Sequence, residues 1–156
     1  MPNECREYVT FYLNNEAFAA PALSVQEIIE LTNITKVPHL PEFIKGVINL
    51  RGTIIPVIDL KQKFGMNSEE YKAHACIIVT EFSGGVTGLI VDSVSDVLNM
   101  PQESIKPAPS FGTKVRADFI NGVAKVDEKL VIVLDVEMVL SNEEAAIAAE
   151  AAASSI

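Results

Sequence analysis

What most constrains the fold of this chain is an internal repeat. Phe43-Ile44-Lys45-Gly46-Val47, followed by the apolar run Ile54 to Leu60 containing Asp59, returns without a gap 76 residues later as Phe119-Ile120-Asn121-Gly122-Val123, followed by Leu130 to Val136 containing Asp135. Upstream, Ser24-Val25-Gln26-Glu27-Ile28-Ile29 returns at an offset of 69 as Ser93-Val94-Ser95-Asp96-Val97-Leu98, and Pro38 maps to Pro107 at that same offset. Two blocks in one order imply two related halves, about 7–68 and 74–140, with a seven-residue insertion between Pro107 and Phe119. A tail, residues 141–156, follows.

Both halves read as short strands joined by turns. Val9, Phe11 and Leu13 alternate with Tyr8, Thr10 and Tyr12, the period of a half-buried strand. Asn14-Asn15, Gly84-Gly85, Arg51-Gly52 and Asp127-Glu128 each divide two apolar segments and predict hairpins. Short strands at this spacing, duplicated, predict a mainly β chain of two small barrels. Ser24-x-x-Glu27 and Ser93-x-x-Asp96 have the form of capping boxes, so the apolar stripes after them fit either one helical turn or a strand. Asp59 predicts the N-cap of a short helix ended by Gly65, and Asp135 its counterpart. Ser141-Asn142-Glu143-Glu144 predicts a capped helix through the alanine run 145–153, frayed at its end for want of large apolar residues.

Composition narrows the function. Acids outnumber bases 21 to 12, for a net charge of −9, which disfavours nucleic acid and anionic membrane as partners. Cys5 and Cys76 belong to no ligand set for zinc or dithiol chemistry and fit a reducing, cytoplasmic setting. No secretory leader and no membrane-spanning apolar run is present, so the expected protein is soluble and intracellular. Phosphate-binding glycine loops, zinc-protease, serine-hydrolase and calcium-loop motifs are missing. Cys76 two residues from His74 is the strongest nucleophile pair on offer, and it lacks an orienting third group; a packed thiol beside a solvated imidazole is the plainer reading. Capping explains Asp59 and Asp135 better than paired acid–base catalysis, and Gly46 and Gly122 fit a strand bulge better than a ligand loop. Arg51, on an apolar hairpin, is poised for a carboxylate or a carbonyl, or else simply solvated. Apolar side chains on strands, stripes and tail exceed what two small interiors hold, so some must face the other barrel or a partner.

The stretch Val37-Pro38-x-Leu40-Pro41-x-Phe43-Ile44-Lys45-Gly46-Val47-Ile48-Asn49-Leu50-Arg51-Gly52-Thr53-Ile54-Ile55-Pro56-Val57-Ile58-Asp59-Leu60 resembles the signature of CheW, the chemotaxis coupling family. Val91 to Leu98 and Ile105-Lys106-Pro107-Ala108-Pro109 are similar to that family too, and the likeness runs from about Tyr8 to Leu140. The alanine-rich tail departs from it, and His74 and Cys76 are not motif positions. The resemblance implies two tandem five-stranded SH3-like β-barrels with short helices and a C-terminal helix. It implies a cytoplasmic, non-enzymatic adaptor without cofactor or metal, monomeric alone, joining the helical tips of methyl-accepting chemoreceptors to the regulatory domain of the histidine kinase CheA within receptor arrays. The receptor groove it implies is Val9, Ala22, Val25 and Ile28, with Ile77 and Val86 from the second half. The kinase contact it implies is the region of Gly46, Val47, Asn49, Leu50 and Arg51. A coupler of a non-flagellar pathway is the nearest alternative; a small-barrel nucleic-acid binder and a Cys76 hydrolase are those of other classes.

Overall fold

A computed structural model describes residues 5–66, 73–82, 85–107 and 119–154. In chain order the elements are β1 (Cys5–Leu13), β2 (Glu16–Pro21), β3 (Val25–Glu30), β4 (Ile44–Leu50), β5 (Thr53–Asp59), α1 (Leu60–Lys63), β6 (Cys76–Phe82), β7 (Gly85–Val91), β8 (Ser93–Pro101), β9 (Ile120–Val126), β10 (Lys129–Leu134) and α2 (Asn142–Ser154). They make two five-stranded SH3-like sheets, sheet I in the order β3-β6-β7-β5-β4 and sheet II in the order β8-β1-β2-β10-β9. The expectation of a mainly β chain with two five-stranded SH3-like units holds, as sheets that are not closed.

The expectation of one barrel per half, 7–68 and 74–140, does not hold, because the halves exchange their first hairpins. Sheet I takes β6 and β7 from the second half, and sheet II takes β1 and β2 from the first. The links explain it. One residue, Asp92, separates β7 from β8, too short to reverse the chain, so β8 runs on into the other sheet. After β2 a single 3-10 turn, Ala22–Ser24, packs on both β1 and β6 and carries the chain across in the same way. The repeat survives the exchange in register: Val9 faces Val97 as Ile78 faces Ile28, and Val133 faces Ala19 as Val57 faces Gly88.

Four sequence expectations resolve locally. The stretches after Ser24 and Ser93 are strands, not helical turns, because each pairs along β6 or β1. Hairpin turns at Asn14-Asn15, Arg51-Gly52 and Asp127-Glu128 have positive φ at both central residues, the turn whose twist matches paired strands; Gly84 lies outside the described residues. Asp59 caps α1, its carboxylate accepting the Lys61 N–H at 2.9 Å and that of Gln62 at 3.4 Å. Asp135 makes no such side-chain cap to the 3-10 turn Val136–Met138, so that reading fails for the second copy.

Each sheet encloses a small apolar cluster, and a larger one lies between them. Inside sheet I are Ile48, Ile55, Val57, Ile77, Val79 and Ile90; inside sheet II are Tyr8, Ala19, Met100, Ala124, Val131 and Val133. The shared core draws on both sheets, with Phe11, Phe18, Phe64 and Phe119 in a chain of ring contacts 5.2 to 6.2 Å between centroids. Burying a side chain of this size contributes about 2 kcal/mol, so this shared core does most to hold the sheets together. A polar tie adds direction: buried Lys61 donates to Asp92 at 2.7 Å, and the other Asp92 oxygen accepts the Asn14 N–H at 2.8 Å.

Candidate functional site

The apolar surplus emerges at the crossing between the sheets. On the 3-10 turn that bridges them, Leu23 is 99% exposed, and on the outer strand that follows, Ile28 is 40% exposed. Alternation on β3 sends Ile29 into sheet I, leaves Ile28 outside, and packs partly buried Val25 against the shared core. Of the expected groove, Ala22 lies on that turn, and Val25 and Ile28 lie on β3, the outer strand of sheet I, Val25 against the shared core and Ile28 towards solvent. Val9 is 4% exposed on β1 in sheet II, paired with Ala20 of β2 and Val97 of β8. Ile77 and Val86 do not join: both pack within the interior of sheet I, and Val86 also lines a cleft beside α2. Leu23 was not foreseen as a site residue, although a large apolar residue between Ala22 and Ser24, two positions after Pro21, is a signal in the sequence.

Next to this edge stands the hairpin of β4 and β5. Arg51, at its tip, reaches back to Glu27 on β3 with both terminal guanidinium nitrogens, the Nη1 to Oε1 bond being 3.0 Å and the Nη2 bond to Oε2 completing a fork. Those hydrogen bonds to Arg51, with its charge, hold the Glu27 carboxyl below its ordinary value against the opposing pull of partial burial. Arg51 is raised by the same pair. Asn49 accepts the Gly52 N–H at 2.8 Å and fixes the turn from which Arg51 projects. Glu27 was not foreseen as a site residue; nothing in its spacing from Arg51 reveals contact across strands.

Gly46 and Val47 are structural. Thr35 exchanges two backbone hydrogen bonds of 2.9 Å with Val47, clasping the extension of β3 onto β4. A Cβ on Gly46 would lie 2.1 Å from the Thr35 carbonyl oxygen, so only glycine admits the clasp. Val47 is buried and Leu50 packs partly on the sheet I cluster, which leaves Asn49 and Arg51 as the exposed members of that region.

The Cys76 thiol donates to the His74 backbone carbonyl at 3.3 Å. Among the described residues no group of three potential ligands gathers to hold a metal ion, and no helix is long and apolar enough to cross a membrane.

Two SH3-like sheets interlocked by exchanged hairpins, with an apolar edge and a forked ion pair on the outside, have the form of a scaffold protein. A family profile described as the CheW-like domain matches residues 7–144, and the chain belongs to that family. It is 40% identical over 142 residues to the chemotaxis protein CheW of Klebsiella aerogenes, covering 91% of this chain and 86% of that one. A probable chemotaxis protein CheW of Rhizobium etli is 35% identical over 139 residues, covering 89% and 90%. Among solved structures, the scaffolding protein TtCheW from Thermoanaerobacter tengcongensis superposes with a TM-score of 0.81 at 39% identity, covering 90% of this chain and 89% of that one.

Proposed function

We propose that this protein is a cytoplasmic chemotaxis adaptor that seats the helical tip of a chemoreceptor on its β3 edge and holds the kinase CheA through the β4–β5 region, performing no chemistry itself. The observation that carries this reading is the exposed apolar run of Leu23 and Ile28 at the junction of two sheets, rimmed by the Arg51–Glu27 pair. A helix with an apolar stripe buries that stripe against such an edge, and the fixed charges at the rim set its orientation. Single contacts of this size give roughly micromolar affinity, which is raised by repetition in an array. Receptor movement then shifts the arrangement of adaptor and kinase, and the kinase equilibrium follows.

The repeat supplies its own control. Ile28 and Val97 occupy equivalent places on β3 and β8, and Val97 is 58% exposed. Ile28→Asp is expected to weaken capture of a receptor cytoplasmic fragment about tenfold, as loss of an interface anchor does, while Val97→Asp leaves it unchanged. Both variants melt like the parent. Equal capture by the two variants overturns the assignment of the groove to β3. Val25 is a poorer probe, since it packs on the shared core and a charge there unfolds the seam.

A further inference from the structure

One end of sheet I carries a feature that the docking edge does not use. Lys36 and Lys45 stand at the rim of a hollow of about 310 Å³ whose floor includes Leu31, Ile34 and Ile90. Two backbone devices put them there. The β4–β5 register shifts between Ile44 and Gly46, so Lys45 is the extra residue of a bulge, which re-aims its side chain. The antiparallel clasp of Thr35 with Val47 sets Lys36 opposite Gly46, beside Lys45. In a chain of net charge −9, neither ammonium has a carboxylate within ion-pair distance among the described residues, whereas Arg51, Lys61 and Lys63 each do. Among the described residues sheet II has no such pair of lysines: Asn121 takes the bulge position, Pro107 follows the clasp residue Lys106, and a 3-10 turn, Gln102–Ser104, stands before it.

We infer that this end of sheet I docks an acidic segment of a partner protein, whose carboxylates meet Lys36 and Lys45 while a neighbouring apolar side chain enters the hollow. Two adjacent ammoniums without an acid are relieved by an anion, and the apolar floor selects one that brings a hydrocarbon group with it. A bare phosphate leaves the floor unfilled. An anionic membrane is repelled by the charge of the whole chain. The inference does not rest on which partner uses the β3 edge.

The test titrates the full chain with acetyl-Glu-Leu-Glu-Ile-Glu-amide as the probe, following backbone amide shifts by NMR. Saturable binding with a dissociation constant of about 0.1 to 1 mM is expected, with shifts centred on Leu31, Ile34 and Ile90. Lys36→Gln with Lys45→Gln is expected to weaken it about tenfold, and circular dichroism checks that these surface changes leave the fold intact. The inference is overturned if the Gln-Leu-Gln-Ile-Gln analogue binds equally, if the double variant binds as the parent does, or if no saturation is seen by about 5 mM. Competition by inorganic phosphate or phosphatidylglycerol vesicles at matched charge overturns the protein-segment assignment as well. Failure here leaves the receptor-capture comparison of Ile28→Asp and Val97→Asp standing, since that assay does not involve these lysines.

Discussion

Sheet I and sheet II have the same strand order, the same cross-strand registers and the same glycine-bounded clasp, yet they present different surfaces. The hairpin tip is Arg51-Gly52 in one and Asp127-Glu128 in the other. Glu27, which Arg51 grips, is matched in sheet II by Asp96, whose backbone is held instead by the Thr10 hydroxyl at 2.9 and 3.0 Å. The parallel ladders differ as well. In sheet II pairing of β10 with β2 begins at Val131, whereas in sheet I β5 and β7 pair only from Val57, because Pro56, the counterpart of Ile132, has no N–H to give. The unpaired ends of β5 and β7 leave a cleft of about 750 Å³, and α2 forms its other wall. Duplication preserved what holds the sheets together and let their exposed surfaces diverge.

The clasp offers the severest test of that equivalence. Gly46→Ala sets a Cβ 2.1 Å from the Thr35 carbonyl oxygen at a φ of 147°, while Gly122→Ala sets one 2.6 Å from the Lys106 carbonyl oxygen without the added cost of positive φ. Both are expected to destabilise, Gly46→Ala by about 3 kcal/mol or more and Gly122→Ala by less, in urea unfolding followed by circular dichroism. Equal losses would show that steric approach alone decides, and that backbone conformation adds nothing at Gly46. For the same reason a charged substitution at Gly46 reports on the barrel before it reports on any kinase contact.

How far the sequence disclosed this molecule follows from the kind of signal involved. Repeat, hairpins and strand alternation were legible because they are local. Exchange of the first hairpins was invisible, since the offsets of 69 and 76 are the same whether β1 and β2 pair within their own half or with the other. Ile77 and Val86, which the resemblance carries to a groove, pack in the sheet I cluster. The Glu27–Arg51 fork joins positions 24 residues apart, and no periodicity encodes such a contact. The sequence predicts the tail helix, frayed at its end for want of large apolar groups, but not its packing: Ala148, Ala151 and Ala152 are buried and the helix lies along β5 and β4. Small residues permit close approach, which composition alone does not announce.

Glu144 gives an intermediate effect and asks whether α2 belongs to sheet I. Its carboxylate accepts from the Ser141 N–H at 2.9 Å while its own N–H donates to the Ser141 hydroxyl at 3.1 Å, a reciprocal capping box. It also takes Lys63 at 2.6 and 2.7 Å, and that ammonium lies 4.5 Å from the Phe43 ring centroid. Burial pushes the Glu144 carboxyl up, but the bonds from Lys63 and Ser141 and the Lys63 charge outweigh it and leave the group below its ordinary value. A depressed carboxyl stabilises the fold above its ordinary pKa and ceases to do so as pH falls through the lower folded value. Glu144→Gln is therefore expected to lower stability by about 1 kcal/mol at neutral pH, with parent and variant converging as pH falls below the ordinary carboxylate range. Hydrogen exchange at 145–152 should rise in the variant before any sheet amide does; simultaneous release of β5 would mean that the helix is integral to the sheet.

The smallest effect on stability, and the most informative about function, is expected at Arg51. Its guanidinium is 72% exposed, and exposed ion pairs of this kind add little to folding even when forked. Arg51→Ala should therefore melt with the parent at any salt concentration. The pair nonetheless fixes the direction of two charges at the rim of the apolar edge, and orientation matters to a partner more than to the fold. In a reconstituted assay of receptor, adaptor and kinase, Arg51→Ala is expected to abolish receptor control of phosphorylation while kinase capture persists. Charge reversal at both ends, Arg51→Glu with Glu27→Arg, sharpens the point. Restored control in the double variant would show that the pair works by shaping the hairpin against β3. Failure to restore it, with folding intact, would show that a partner reads the guanidinium itself. Placing Arg at Asp127 and Glu at Asp96 then asks whether sheet II can be given the same rim. It is expected to gain the ion pair without gaining the control, because no counterpart of Leu23 stands beside it: the equivalent position is Asp92, already engaged by Lys61 and Asn14.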